Sequence, residues 1–136
     1  MPGFEVGVLI GNVEDVTPGF YAVDAHKNKM GQIASGDFCG RMARVALDQM
    51  WLANASCHFL FMVGFHEMEK FCGPRGYRCA MIQAGRMGQR LYLAATALRL
   101  GCCGIGAFYD KEAAQILGLE DGQWMVYLVG VGVVKS

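Results

Sequence analysis

The segment from residue 77 to residue 100 constrains the fold more than any other, because it is long and contains no proline. As an α-helix it would span about 36 Å. Apolar residues recur every three or four positions in its first half, and residues 91–100 (LYLAATALRL) are apolar on nearly all sides. Such a helix is buried from several directions. The sequence therefore predicts a long central helix, ended by Gly101 and covered by the core and by a second subunit.

Four strand-like segments surround this helix. Residues 4–12 and 20–23 are apolar, and the Pro18-Gly19 turn before the second segment favours pairing of the two. Residues 57–65 and 124–134 are apolar at successive positions, which is typical of strands buried on both faces. We expect these last two to lie in the interior of one sheet.

The remaining segments predict shorter helices and a loop. Residues 38–50 carry apolar side chains on one helical face, with Asp37 as the N-cap, and residues 66–71 suggest a single helical turn. A short helix begins at Asp110 and ends at Gly118. With the polar residues 24–35 interpreted as a loop, the order is β-β-α-β-α-α-β. This order predicts an α+β fold, with a mixed, mostly antiparallel sheet and helices packed on it.

Composition limits the function classes. The 136 residues carry twelve basic and twelve acidic side chains, which gives no basic surplus for nucleic acid. The longest apolar run, residues 124–134, is shorter than the roughly 18 residues of a membrane span, and the N-terminus does not resemble a signal peptide. Six cysteines without C-x-x-C spacing indicate reduced thiols in a cytoplasm and no metal site. A hydrophobic content of 54% with only 18% charged residues suggests apolar surface covered by a partner or ligand.

Two segments could carry chemistry. Gly101, Gly104 and Gly106 cluster after the long helix, where they would either let a ligand approach the backbone or simply allow a tight connection. Arg75 and Arg78 precede and open the long helix, as an anion site or as solvated side chains. The three histidines are scattered and are best interpreted as loop or strand residues, and the common hydrolase, P-loop and zinc-protease motifs are absent.

Several segments, in this order and spacing, resemble the FMN-dependent nitroreductase superfamily, and most closely its SagB-type dehydrogenase branch. They are the RGYR sequence at residues 75–78, the segments at residues 77–95 and 100–108, Asp110, the LGL sequence at 117–119, residues 127–132, and the upstream segments at residues 4–6, 12–14 and 18–21. The resemblance covers nearly the whole chain.

The resemblance implies an α+β fold that forms an obligate homodimer around its long helix, with FMN at the subunit interface. It implies that the backbone of Gly104, Ile105, Gly106 and Ala107 contacts the flavin ring, that Gln83 contacts FMN, and that Lys135 reaches the phosphate. An amide donor at the flavin N5 would stabilise the reduced ring, while hydride transfer belongs to the cofactor. The implied function is oxidation or reduction of a small organic substrate, with NAD(P)H as a candidate electron donor.

The sequence also departs from that pattern. Residues 1–136 are expected to form one nitroreductase-like domain that is shortened at its N-terminus and lacks the arginine-rich segment of the family's phosphate site. A Lys-Tyr pair of azoline dehydrogenases falls on Phe71 and Cys72, which argues against azoline oxidation. Three hypotheses follow: a homodimeric flavin enzyme, a non-catalytic or half-site protein that dimerises or pairs with a separate chain supplying the missing segment, and a small-ligand binding module.

Overall fold

The computed structural model describes residues 1–134 and contains one six-stranded sheet in the order β3-β2-β1-β4-β6-β5. Every strand pairing in this range is antiparallel, and the α+β fold is confirmed. In these residues, no helix is both long and apolar enough to cross a membrane. The strands are β1 (Phe4–Ile10), β2 (Gly19–Asp24), β3 (Lys29–Ser35), β4 (Cys57–Gly64), β5 (Gly101–Ile105) and β6 (Gln123–Gly132). The α-helices are α1 (Cys39–Val45), α2 (Phe65–Cys72), α3 (Gly76–Ala97) and α4 (Asp110–Leu117).

Helices cover both faces of the sheet. On one face, which we call the α1/α4 face, large side chains such as Leu9, Leu60 and Leu128 pack against α1 and α4. On the other, the α3 face, Phe61 and Val129 pack against α3. The sheet is therefore the middle of three layers, and β4 lies near its centre with β1 on one side and β6 on the other.

Helix α3 approaches the sheet closely because the side chains it buries are small. Gly76, Ala80, Ala84, Gly88 and Ala95 are its buried residues. The predicted long helix is thus confirmed, but it ends at Ala97 rather than before Gly101. Arg99 takes the left-handed conformation, with φ of 60°, and Gly101 already belongs to β5.

The segment expected to be a loop after β2 contains an additional edge strand, β3. Its residues are nearly all exposed, so the sequence lacks the apolar alternation that reveals a half-buried strand. The Asp24 carboxylate accepts hydrogen bonds from the backbone of His26 and Lys27 at 3.1 and 3.2 Å, and Asn28 has a φ of 50°. These features form the turn that lets β3 pair with β2.

The predicted helix at residues 38–50 is shorter than expected. It ends at Val45 because Leu47 and Asp48 take positive φ values of 60° and 57°, and a 3₁₀ helix, Met50–Asn54, follows. The N-cap position belongs to Phe38, while Asp37 accepts a hydrogen bond from the Cys39 amide at 3.1 Å.

The other helix predictions also have definite outcomes. The predicted helical turn at residues 66–71 is a two-turn helix, α2, joined to α3 by a 3₁₀ turn, Gly73–Arg75. Gly118 ends α4 in the left-handed conformation, as predicted.

Candidate functional site

The glycine cluster is partly a strand and partly a connection. The sequence suggested a loop, but Gly104 and Ile105 lie in the edge strand β5 and pair with Val129 and Leu128 of β6. Gly106 and the residues after it form the connection to α4. The reason is that β6 offers its free edge to any extended segment beside it, whatever the glycine content of that segment.

Tyr127 explains two of the glycines. A Cβ at Gly104 would overlap the Tyr127 hydroxyl, and a Cβ at Gly88 would lie 2.6 Å from Tyr127 Cε2. The ring is therefore held between β5 and α3, stacked on Phe61 with centroids 6.1 Å apart. Burial, followed by the charges of Tyr92 and two neighbouring cysteines, raises the pKa of Tyr127, so its hydroxyl stays protonated at neutral pH.

Tyr92 holds the Gly104 backbone. Its hydroxyl oxygen accepts a hydrogen bond from the Gly104 amide at 2.6 Å. The pair of tyrosines, Tyr92 and Tyr127, thus encloses Gly104 from the α3 face of the sheet. The sequence analysis did not identify either tyrosine as a site residue. Their contacts with Gly104 depend on how α3, β5 and β6 pack together, and no local sequence motif reveals that packing.

Gly106 lies in a different environment. No heavy atom comes within 4 Å of a Cβ built on it, and its backbone borders a cavity of about 690 Å³. Phe65 and Tyr77 stack in this cavity with ring centroids 5.5 Å apart, across the start of α2 and of α3. The other aromatic lining residues are Phe108, Tyr109 and Trp124.

The N-terminus of α4 contributes charged side chains to this cavity. Asp110, Lys111 and Glu112 lie in the first turn of the helix and line the same space. The cavity therefore combines an aromatic wall, an open stretch of backbone and a small number of charged groups. Cavities of about 300–1,000 Å³ with this composition are typical of small-molecule sites.

The sequence model of the nitroreductase family matches residues 13–133. The chain belongs to the nitroreductase family. It is 29% identical over 126 residues to a protein of Methanocaldococcus jannaschii named as a nitroreductase, covering 93% of this chain and 64% of that one. The chain thus spans less than two thirds of the length of this curated relative.

Solved structures share the fold of this nitroreductase-family chain. A crystal structure named as a nitroreductase from Anabaena variabilis superposes with a TM-score of 0.92 at 26% identity, over 98% of this chain and 27% of that one. A chain of the E. coli microcin synthetase complex gives 0.83 at 18% identity, over 98% and 53%. The NADPH:FMN oxidoreductase of Vibrio harveyi gives 0.62 at 18%, over 72% and 46%. The two matches at 18% identity show the fold alone.

The predicted cofactor residues of this nitroreductase-family chain do not share one cavity. Gly106 borders the aromatic cavity, whereas Gln83 on α3 lines a second cavity of about 680 Å³ beside β1. Ile105 directs its buried side chain into the α1/α4 face, and Ala107 is exposed. Lys135 lies outside the described residues.

Cysteines and histidines do not assemble a conventional metal centre. Within residues 1–134, no three His, Cys, Asp or Glu side chains are grouped to hold a metal ion. His58 is a fully buried strand residue whose Nε2 donates to the Leu52 carbonyl at 2.7 Å. Burial raises the pKa of Cys39 to about 12 and that of Cys57 to about 11, so neither is a reactive thiolate at neutral pH.

Proposed function

We propose that the chain is an FMN-dependent oxidoreductase of the SagB-type branch, homodimeric, cytoplasmic and acting on a small organic substrate. The observation that carries this proposal is the open backbone at Gly106, which borders an aromatic cavity of about 690 Å³ in a chain of the nitroreductase family. The branch rests on the RGYR and glycine-segment resemblance, and the compartment on six cysteines, all free in the structure.

The residues of the cavity fit a flavin ring. Because Gly106 has nothing within 4 Å of its missing side chain, a planar group can approach its backbone. The stacked Phe65 and Tyr77 rings supply an apolar wall on another side. Lys111 is a cationic lining residue for the phosphate, beside the carboxylates of Asp110 and Glu112.

When bound, FMN supplies the hydride chemistry. The backbone of Gly106 and Ala107 would bind the ring edge, while the aromatic wall would hold a planar substrate and exclude water. The resemblance implies that the Gly104 backbone also contacts the flavin ring, but in the structure the Gly104 amide is hydrogen-bonded to the Tyr92 hydroxyl. NAD(P)H is the proposed electron donor, and the similarity to the Vibrio harveyi NADPH:FMN oxidoreductase, a structure with NAD⁺, supports this choice.

The outward face of α3 supports the homodimer. Ile82 and Leu93 on this helix, and Leu98 just after its end, expose 58%, 62% and 70% of their surface. Large apolar side chains exposed to this extent are typical of a surface that another subunit covers.

A half-site protein is the alternative. The Gly104 amide, one of the proposed flavin donors, is occupied by the Tyr92 hydroxyl, and Tyr127 fills the space above Gly104. In this alternative the chain binds FMN weakly or not at all and pairs with a separate chain. The fold similarity to a chain of the multi-chain microcin synthetase complex supports such pairing.

Flavin titration of the purified chain tests the proposal. We expect yellow protein that releases FMN on denaturation and shows a dimer mass in native mass spectrometry. Gly106→Val should lose FMN binding and keep its fold, because the added side chain enters open space. Gly31→Val is the matched control, since Gly31 is equally open but lies on β3 at the far edge of the sheet.

Two outcomes would count against the enzyme. A colourless wild-type chain that gains no flavin in excess FMN would overturn it in favour of the half-site alternative. Equal loss of flavin in Gly106→Val and Gly31→Val would show that the effect is not local to the cavity.

A further inference from the structure

Basic side chains are concentrated on α3 and the residues that flank it. Residues 75–99, which we call the basic segment, carry five arginines and no Asp or Glu, although the whole chain has no net charge. The nearest acidic residues along the sequence are Glu69 before the segment and Asp110 after it. The five arginines, all exposed, are Arg75, Arg78, Arg86, Arg90 and Arg99. The neutral composition therefore hides a cationic surface on one helix.

This surface has no counter-charge from its own chain. Within residues 1–134 the structure contains one ion pair, between Lys70 and Glu67, and no arginine takes part in it. Glu69, on α2, contacts Gly76 at the N-terminal end of α3. Position 86 lies ten residues further along the helix, or about 15 Å away. The middle of α3 is thus basic and unpaired.

Arg86 shares a helix face with the apolar side chains that the proposed dimer covers. It lies four residues after Ile82 and seven residues before Leu93, and both spacings place side chains on one side of a helix. Arg90 follows Arg86 by four residues, so two like charges adjoin and repel each other. Arg90 also borders the cavity of about 680 Å³, without an ion pair to the carboxylates there. A subunit that covers Ile82 and Leu93 must also cover Arg86.

Two-fold symmetry brings these charges together. In an isologous interface the same surface meets itself, so Arg86 of one copy approaches Arg86 of the other. Where Ile82 packs on the partner's Leu93, the axis crosses α3 midway between these two positions. Positions 86 and 90 of both copies then lie within one helical turn of the axis, measured along the helix. Removing water from four guanidinium groups without a counter-charge is strongly unfavourable.

We propose that a phosphate group binds between the two copies and is held by Arg86 and Arg90 of both. The inference rests on the homodimer of the proposed function, because the site is incomplete in one copy. A phosphate group offsets several positive charges at once, and its oxygen atoms accept paired N–H bonds from the planar guanidinium fork. Chloride cannot accept such paired bonds on separate oxygen atoms. Inorganic phosphate and the phosphate of FMN share this chemistry.

Sedimentation velocity of the full chain tests the site through the dissociation constant of the dimer. Sodium phosphate is compared with sodium chloride at the same pH and ionic strength, so that general screening is equal. We expect phosphate to tighten the dimer by about tenfold or more, because a ligand that binds only the dimer shifts the equilibrium towards it. Addition of FMN or riboflavin to the chloride solution separates the sources of the group. FMN should tighten the dimer and riboflavin, which lacks the phosphate, should not.

Two substitutions at one position give opposite readouts. Arg86→Gln should lose the phosphate dependence and dimerise in chloride at least as tightly as the wild type, because fewer positive charges meet. Arg86→Glu supplies a carboxylate in place of the phosphate and should dimerise in chloride about as tightly as the wild type does in phosphate. Arg44→Gln is the matched control, since Arg44 is an exposed arginine of α1 on the opposite face of the sheet, and it should keep the phosphate dependence. Circular dichroism shows that each variant is folded.

Three outcomes would overturn the site. A dimer of equal strength in phosphate and chloride would remove the anion and leave the homodimer in place. Equal tightening by riboflavin and FMN, or loss of the phosphate response in Arg44→Gln, would show that a phosphate group on α3 is not responsible. A chain that is monomeric in every solution would overturn the proposed homodimer itself, and the site with it.

Discussion

The two faces of the sheet are built in opposite ways. The α1/α4 face is filled by large side chains, including Leu9, Leu60 and Leu128, all fully buried. The α3 face receives a helix whose buried side chains are only Gly and Ala, so the bulk comes from the sheet, in Phe61 and Tyr127. Large-to-small substitutions should therefore destabilise the α1/α4 face. Small-to-large substitutions should destabilise the α3 face.

The largest effect is expected on the α1/α4 face. Leu60→Ala removes a fully buried side chain from the centre of β4 and leaves a cavity, so the free energy of unfolding should fall by about 2–5 kcal/mol. Denaturant unfolding measures this change. Val133→Ala, at a residue that is 80% exposed just after β6, is the control and should change it by less than about 0.5 kcal/mol. Equal effects would show that this face is not closely packed.

On the α3 face, adding one methyl group at Gly88 should destabilise the folded chain. Gly88→Ala places a Cβ 2.6 Å from Tyr127 Cε2, and such overpacking costs about 1–3 kcal/mol. Gly85→Ala, on the same helix with no atom within 4 Å of the new Cβ, should instead stabilise by up to about 1 kcal/mol through helix propensity. A Tyr127→Leu background should reduce the cost of Gly88→Ala in a double-mutant cycle. Identical effects of the two alanines would contradict the close approach of α3.

His58 makes the α1/α4 face sensitive to acid. Burial lowers its pKa below the usual 6.5, while the Leu52 hydrogen bond and the Asp37 charge act in the opposite direction. The unfolded chain therefore takes up a proton at a higher pH than the folded chain does. The stability that depends on neutral His58 is present above about pH 6.5 and is lost as pH falls towards the lower folded pKa, with a slope of at most about 1.4 kcal/mol per pH unit.

Unfolding free energies of the wild type and of His58→Leu, measured between pH 7.5 and 5, isolate this contribution. The variant is less stable at pH 7.5, because the Leu52 carbonyl loses its donor, but its stability should depend less on pH. Parallel pH profiles for the two proteins would mean that His58 does not titrate differently on folding.

The sequence predicted helices and strands correctly where apolar residues recur in a regular pattern. The α3 pattern and the apolar runs of β1, β4 and β6 identified those elements, because burial dictated their residues. β3 was missed since its side chains are exposed and backbone pairing alone holds it. The end of α1 was missed because Leu47 and Asp48 adopt left-handed conformations without a glycine to signal them.

At the candidate site, the spacing of the glycines identified the segment. It did not show that Gly104 and Gly106 have different structural roles. Gly104 is a glycine because a ring from β6 occupies its side-chain space, whereas Gly106 borders an open cavity. Which atoms fill the space beside a glycine depends on register between β5 and β6, and that register is not contained in any local motif.

The smallest effect on chain stability, and the sharpest test of assembly, is expected on the outward face of α3. Leu93→Lys places a charge on a side chain that is 62% exposed, so its circular dichroism spectrum should match the wild type. If α3 packs on its mate as proposed, the lysine is buried without a partner in the dimer, and sedimentation velocity should show a monomer. Ile33→Lys, at a residue 59% exposed on β3, makes the same chemical change at the far edge of the sheet and should remain dimeric. A dimer that survives Leu93→Lys would show that the subunit interface does not include the exposed apolar side chains of α3.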